Sequence, residues 1–348
     1  MPAPFSRPAP AEKEAALPKA ELHRHLEGCV SIPTIIRLAS RHGAKLPSFD
    51  PAELEKYTRL KSPMGSLDEV LAMFSIAQAA FASYDAVEEI TWEALETAFR
   101  DENIRLLELR FSPDFMLSGK DLDWRRSLDI INSVFRRFES RHPFVGGVIV
   151  IASRGLGAAS AERTAGFAIE NRKKIIGFDL AEGEKSFPAR LYAPLAEKLR
   201  GAGVPLTVHS GEEGDYPQVR ETLELLKPRR IGHGVKAAED RTGRTMEMIR
   251  LAGVTVETNP WSNYLTRAVE SPEVHPLKKF IGAGLKCSIS ADDPEILDTD
   301  LNREYALALG PLGLSPADLE YCRRCAVEGS FLEPDKRRQA AKEMGFSA

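Results

Sequence analysis

Two histidines one residue apart, His23 and His25 in Glu21-Leu22-His23-Arg24-His25, are the first residues of this chain whose types and spacing could do chemistry. Side chains alternate along a strand, so the two imidazoles share one side and Arg24 takes the other. Such a pair can chelate a divalent metal, or it can be two hydrogen-bonded structural histidines. Three later segments have a similar look: Val208-His209-Ser210-Gly211-Glu212, Ile231-Gly232-His233-Gly234 and Ser290-Ala291-Asp292-Asp293-Pro294. Four of the chain's seven histidines fall in these segments, with the carboxylates of Glu212, Asp292 and Asp293. Carboxylates crowded at one place require a cation or a proton. A donor set of three His and one Asp, without Cys, suits Zn²⁺. A catalytic zinc keeps a position for water and brings its pKa to about 7.

The four segments share a setting. Short apolar stretches alternate with longer amphipathic ones, as in βα units around a parallel sheet. Strands are expected at Lys19–His25, Ile104–Ser112, Gly146–Ser153, Ile175–Ala181, Pro205–Ser210, Arg230–Gly234, Val254–Asn259 and Lys286–Ala291. Most are β-branched or continuously apolar, as strands buried on both faces are. Helices are expected at Ser66–Phe99 (more than one), Trp124–Arg141, Ala159–Lys174, Leu191–Gly203, Pro217–Leu226, Arg241–Ala252 and Val274–Gly284. Eight such units predict an α/β fold, a (β/α)₈ TIM barrel with its active site at the C-terminal strand ends. An open doubly wound sheet is disfavoured, since no Gly-x-Gly-x-x-Gly turn follows the first strand. The long stretch between His25 and Ile104 predicts extra helices inserted between strands 1 and 2, capping one barrel end.

Composition agrees with a soluble globular protein. The 348 residues allow two domains or one barrel, and 43% hydrophobic with 28% charged residues can build a core. A net charge of −4 gives no electrostatic case for nucleic-acid binding. No apolar run approaches the roughly 20 residues of a membrane span. Four cysteines do not make a secreted disulfide scaffold. Residues 1–17 read as a mobile arm without a signal-peptide core, 18–335 as the barrel and 336–348 as a charged helical tail. A cytoplasmic location is expected, and a homo-oligomer is compatible with the sequence.

Lys19–Gly28 (KAELHRHLEG), VHSGE at Val208–Glu212, RIGHG at Arg230–Gly234 and SADDP at Ser290–Pro294 together resemble the adenosine deaminase family of metal-dependent hydrolases. Secondary matches are Arg110-Phe111-Ser112-Pro113, Gly177-Phe178-Asp179-Leu180-Ala181 and Asn259-Pro260-Trp261-Ser262-Asn263. The resemblance runs from about residue 18 to 335. It implies a zinc barrel, one Zn²⁺ per chain held by His23, His25, His209 and Asp292, acting on a small purine nucleoside. It further implies that Glu212 protonates purine N1. His233 would orient or deprotonate the attacking water and stabilise the charge that develops, and Asp293 would bond N7. Strand alternation would turn Asp292 to the metal and Asp293 to the base.

Gly232 resembles the nucleoside-deaminating members, whereas relatives acting on free adenine more often carry an acid there. Two departures concern the sugar end. Glu27 stands where adenosine-specific members typically have Asp. Glu182 stands where the fourth-strand motif usually continues with Gly, leaving a backbone amide at Glu182 or Gly183 to meet N3. Adenosine or 2′-deoxyadenosine is therefore the expected substrate. The alternatives are a 5′-modified adenine nucleoside, such as aminodeoxyfutalosine or a methylthio derivative, and free adenine. Another amidohydrolase-type enzyme and a non-catalytic binding relative are the remaining readings. His42, His142 and His275 are expected at the surface or as caps. Cys322 and Cys325 are expected as helix-packing thiols and Cys29 and Cys287 as buried ones, and Lys227–Arg230 as a solvated loop.

Overall fold

A computed structural model describes residues 8–65 and 67–346. The expected arm thus lies outside the described residues over 1–7, as do Ser66 and the last two residues of the tail. Eight strands, β1 (Lys19–His25), β2 (Ile104–Phe111), β3 (Val145–Ser153), β4 (Gly177–Ala181), β5 (Leu206–Ser210), β6 (Arg230–His233), β7 (Thr255–Thr258) and β8 (Lys286–Ile289), pair in chain order. All neighbouring pairs are parallel. The ring closes just past β8, where Asp292 bridges Arg24 of β1. This is the expected (β/α)₈ barrel.

The outer helices form for local reasons. In Trp124–Glu139, Leu128, Ile131, Val134, Phe135 and Phe138 recur at helical spacing and are buried. The helix starts where the Asp123 carboxylate accepts the Arg126 N–H (2.8 Å). Four helices fill the insertion between β1 and β2: Ile32–His42, Pro51–Thr58, Leu67–Ala79 and Tyr84–Arg100. Ser31, Asp50 and Ser83 cap the first, second and fourth. Before β1, Glu12–Ala16 is a short helix whose end is held by Lys19 Nζ and Asn103 Nδ2 on the Leu17 and Ala16 carbonyls.

Inside the barrel the composition departs from expectation. Parallel barrels usually fill their interiors with branched aliphatic layers. Here a chain of alternating charges crosses the interior. Glu108 Oε2 pairs with Arg230 Nη2 (2.6 Å), Arg230 Nε with Glu257 Oε1 (2.5 Å), Glu257 Oε2 with Arg110 Nη2 (2.6 Å), and Arg110 Nε with Asp179 Oδ2 (2.6 Å). All five side chains are buried. Each ion has an opposite neighbour, which is what makes burial of this much charge tolerable. Arg230 therefore corrects the solvated-loop reading of Lys227–Arg230: it sits in β6, although Lys227 and Arg229 are exposed.

The barrel floor is closed by the segment after the helix Pro316–Gly329. Ser330 Oγ and the Phe331 N–H both donate to Glu108 Oε1 (2.6 Å each), and Arg230 Nη1 donates to the Gly329 carbonyl (3.0 Å). The Phe331 ring lies 3.6 Å from the Arg230 guanidinium. Cys322 and Cys325 are buried on that helix, and Cys29 and Cys287 are also buried and free.

Candidate active site

The C-terminal strand ends bring His23, His25, His209 and Asp292 together, with one donor atom from each within 4.8 Å of the others. His23 Nε2 lies 3.1 Å from His209 Nε2, 3.4 Å from His25 Nε2 and 3.2 Å from Asp292 Oδ1; His25 Nε2 lies 3.3 Å from Asp292 Oδ1. Zinc bonds of about 2.0–2.1 Å in a tetrahedral array place donors about 3.3 Å apart. The four separations around His23 and His25 are close to that value, and the three-His, one-Asp set could hold a single small divalent ion.

Buried carboxylates aim these donors. His23 Nδ1 is 2.7 Å from Glu257 Oε2, and His209 Nδ1 is 3.2 Å from Asp179 Oδ1, so each ring turns its Nε2 toward the cluster. Glu257 is held well below the usual carboxylate range: burial pushes it up, but Arg230 and Arg110 outweigh that. Burial pulls His25 down to about 4 and lowers His209, leaving both neutral. Burial and Arg110 act the same way on His23, yet Asp292 and Glu257 prevail and hold it up at about 9.

Asp292 is fixed by the ligand strand itself. Its N–H donates to the His23 carbonyl and its carbonyl accepts the His25 N–H, both at 3.0 Å. Its φ is +63°, in the left-handed region. This corrects the expectation from alternation: β8 ends at Ile289, and a left-handed turn separates the Asp292 and Asp293 side chains. His233 and Glu182, also at strand ends, have φ of +64° and +61°. Non-glycine residues held this way are strained and concentrate at functional sites.

Glu212 faces the cluster beside His233, whose Nε2 is 3.4 Å from Glu212 Oε2 and 3.9 Å from Asp292 Oδ2. Burial pushes the Glu212 carboxyl up to about 8, with Asp292, Glu213 and Glu184 adding repulsion. Its loop is held by Glu184, which accepts the N–H groups of Gly211 (2.7 Å), Glu212 (3.3 Å) and Gly214 (2.9 Å). Asp293 is raised well above its ordinary value by burial, then by Asp292, Glu27 and Glu212. Its Oδ1 has no protein partner. It sits so close to Gly28 that a Cβ there would fall 2.0 Å from this oxygen and 2.7 Å from the Asp293 Cα.

These groups open onto a cavity of about 290 Å³. One wall is apolar, built by Met64, Val70, Leu71 and Phe74 from the insertion together with Leu297. The rest includes Glu27, Ser112, Ser153, Glu182, Gly183 and Glu213, and no lysine or arginine is among the described lining residues. Burial pushes Glu27 up to about 8, and its Oε2 is unpartnered. Glu182 accepts from Ser153 Oγ, and Gly183 follows in a left-handed conformation. Gly232 is not among the residues lining the cavity. A Cβ there would meet His23 Cε1 at 2.8 Å, so its smallness serves the His23 ring and carries no independent information about the sugar.

The structure thus assembles every proposed ligand, with Glu212, His233, Asp293, Glu27, Glu182 and Gly183 around one cavity. His42 is exposed and His142 half-buried, but His275 is buried, correcting the surface reading. Its Nε2 lies 3.1 Å from Asn263 Oδ1. Sequence reasoning missed Glu257 and Glu184. Glu257 had one available signal, an acidic residue in the middle of the otherwise apolar and Thr-rich strand Val254–Asn259.

A family model described as Adenosine deaminase matches residues 18–345. An adenosine deaminase of Shewanella denitrificans is 30% identical over 325 residues, covering 93% of this chain and 97% of that protein. The crystal structure of adenine deaminase from Arthrobacter aurescens superposes with a TM-score of 0.86 at 23% identity, over 95% of this chain and 98% of that one. An amidohydrolase from Burkholderia ambifaria with bound Zn gives 0.85 at 22% identity, over 99% and 96%. The two structures share the barrel architecture, and the match in sequence extends through the segments that build the site. The chain belongs to the adenosine deaminase family and is a hydrolytic deaminase.

Proposed function

We propose that the chain is a zinc-dependent deaminase of an uncharged adenine nucleoside, converting the 6-amino group to a 6-oxo group with release of ammonia. The observation that carries this reading is the placement of two carboxyls, half-buried Glu212 and buried Asp293, on the cavity wall beside the four-donor cluster. Purine N1 and N7 are both acceptors, so groups that recognise them must donate. A carboxyl kept neutral by burial does so. Glu212 delivers its proton to N1, which makes C6 electrophilic, and Asp293 O–H holds N7. His23, His25, His209 and Asp292 would hold a divalent ion, which when bound would lower the pKa of water and supply a nucleophile near neutral pH. The water oxygen bonds to C6; one water proton replaces the one Glu212 gave to N1, and the other passes to the amino nitrogen as the C6–N bond breaks and the C6–O bond becomes a carbonyl, so the nitrogen leaves as ammonia.

The outer cavity argues for a neutral ligand. Without Lys or Arg among its described lining residues, and with Glu27, Glu182 and Glu213 present, it offers a phosphate no counter-charge. The apolar wall of Met64, Val70, Leu71 and Phe74 favours a second reading, a nucleoside extended at its 5′ position by an apolar or uncharged group.

A substrate panel tests both readings. Protein loaded with Zn²⁺ is assayed with adenosine, 2′-deoxyadenosine, adenine, methylthioadenosine, aminodeoxyfutalosine and adenosine monophosphate. Neutral nucleosides are expected to exceed the monophosphate at least about 100-fold in kcat/KM, a margin of about 2.7 kcal/mol. A preference for the monophosphate overturns the charge argument, and absence of ammonia release from every compound overturns the activity. Metal analysis should return one zinc per chain.

A further inference from the structure

We propose that His275 and Asn263 are positioning residues that set His233 as a hydrogen-bond donor toward the reacting oxygen, not as its base. The Leu277 N–H lies 3.2 Å from His275 Nδ1 and can only donate, so that nitrogen carries no proton. The His275 ring is buried, and burial pulls its pKa down to about 3, so it is neutral and its proton is on Nε2. Nε2 therefore donates to Asn263 Oδ1 at 3.1 Å, which decides the orientation of the Asn263 amide.

The Asn263 amide passes the polarity on. With Oδ1 turned to His275, Nδ2 donates to His233 Nδ1 at 2.8 Å, and Asn259 Nδ2 lies 3.2 Å from the same nitrogen. An imidazole nitrogen that receives an N–H cannot hold a proton of its own. The proton of neutral His233 is thus on Nε2, the nitrogen that faces Glu212 Oε2 and Asp292 Oδ2. A nitrogen already protonated cannot take a proton from water. It can donate to an oxygen gaining negative charge, which stabilises the transition state more than the ground state.

The strained backbone of His233, at φ +64°, helps to bring its Nε2 to this point. Asn259 immediately precedes the helix Pro260–Leu265 that follows β7, Asn263 lies within it, and His275 precedes Leu277–Gly282. The polarity of a catalytic ring is therefore set from a loop 42 residues farther along the chain.

The inference rests on the deamination reading for its kinetic consequence only; the tautomer can be read without turnover. Histidine ¹⁵N shifts are measured on the zinc-loaded protein, with His233→Gln used for assignment. A protonated Nε2 and a bare Nδ1 are expected at His233, and the opposite pattern overturns the proposal. In Asn263→Asp, examined at a pH where carbonyl ¹³C shifts show the new carboxyl ionised, that group can only accept, so it should draw the His233 proton to Nδ1. The expected result is a kcat lower by about 100-fold, the usual effect of losing one such donor, with KM within threefold and zinc content unchanged. An unchanged tautomer with kcat within threefold overturns it. Should Asn263→Asp fail to fold, His275→Gln, which retains a donor toward Asn263, is compared with His275→Leu, which does not. Retained kcat in the Gln variant with at least a tenfold loss in the Leu variant, at matched zinc content, supports the chain of donors. Equal kcat in the two overturns it. If no compound is deaminated, the shifts still decide the tautomer, so failure of the activity and failure of this inference are separable.

Discussion

Replacing Glu257 by Gln tests whether the charged barrel interior and the metal cluster are one construction. Glu257 receives four groups on two oxygens: His23 Nδ1 (2.7 Å), Arg110 Nη2 (2.6 Å), Arg230 Nε (2.5 Å) and Thr207 Oγ1 (3.1 Å). Glutamine keeps the shape but turns one oxygen into a donor, which then faces a guanidinium N–H of Arg230 or Arg110 whichever way the amide is placed. It also leaves Arg110 and Arg230 with one fewer counter-charge between them. Removing one partner from a buried ion pair costs about 3–5 kcal/mol. An unfolding entropy of about 2.1 cal/mol/K per residue makes each kcal/mol worth about 1.4 °C in a chain this long. The metal-free variant should therefore melt about 4–7 °C lower. Freed from the carboxylate, the His23 ring is less well aimed and less basic, and zinc affinity should weaken about 10- to 100-fold. Melting of the metal-free protein by circular dichroism gives the first quantity, and competition with a chromophoric chelator the second. A melting temperature within 2 °C of the parent and affinity within threefold, on the scale of those expectations, would refute the reasoning.

Three more outcomes follow from the site. Because Glu212 must carry a proton and burial holds it up to about 8, kcat/KM should fall with rising pH along a one-proton limb. A cation in the ligand cluster draws that value down, so the limb lies at or below about pH 8, and Glu212→Gln should abolish turnover with zinc retained; activity flat to pH 10 refutes this. His23, held up at about 9 in the metal-free protein, is protonated at pH 7 and must release that proton to bind metal. Calorimetry of zinc binding in buffers of different ionisation enthalpy should show at least one proton released per ion from this group, and none refutes the assignment. Gly28→Ala forces a methyl to 2.7 Å from the Asp293 Cα, where backbone cannot yield; a displacement near 1 Å should cost about 100-fold in kcat/KM without loss of zinc, and a loss under threefold would exclude a close role for Asp293.

The chemistry-bearing residues were legible because barrel strands end where their sequences do. β1 spans the expected residues, and His23, His25, His209 and His233 follow from strand ends alone. The groups that orient them were not legible. Arg110 meets Asp179 and Glu257 across 69 and 147 residues, and nothing in a single strand reports a partner that distant. Glu257, Arg230 and His275 look ordinary in isolation; their burial is a property of the closed ring. At Asp292 a local rule failed because the chain had already left the strand and turned left-handed. Two helices of the insertion did carry a readable start, Ser31 ahead of Pro33 and Asp50 ahead of Pro51, cap residues with Pro in the first helical turn.

The floor of the barrel has a consequence for the order in which the molecule can be made. Translation delivers all eight strands before it delivers Gly329, Ser330 and Phe331. Until those three arrive, Glu108 lacks two of its donors, and Arg230 lacks both the Gly329 carbonyl and the Phe331 ring. The interior charges then stand open to water from below, so the ring can collect its strands early but cannot dry its centre. The four-donor cluster, whose His23 leans on Glu257 and through it on Arg230, therefore gains its full support only with the last part of the chain.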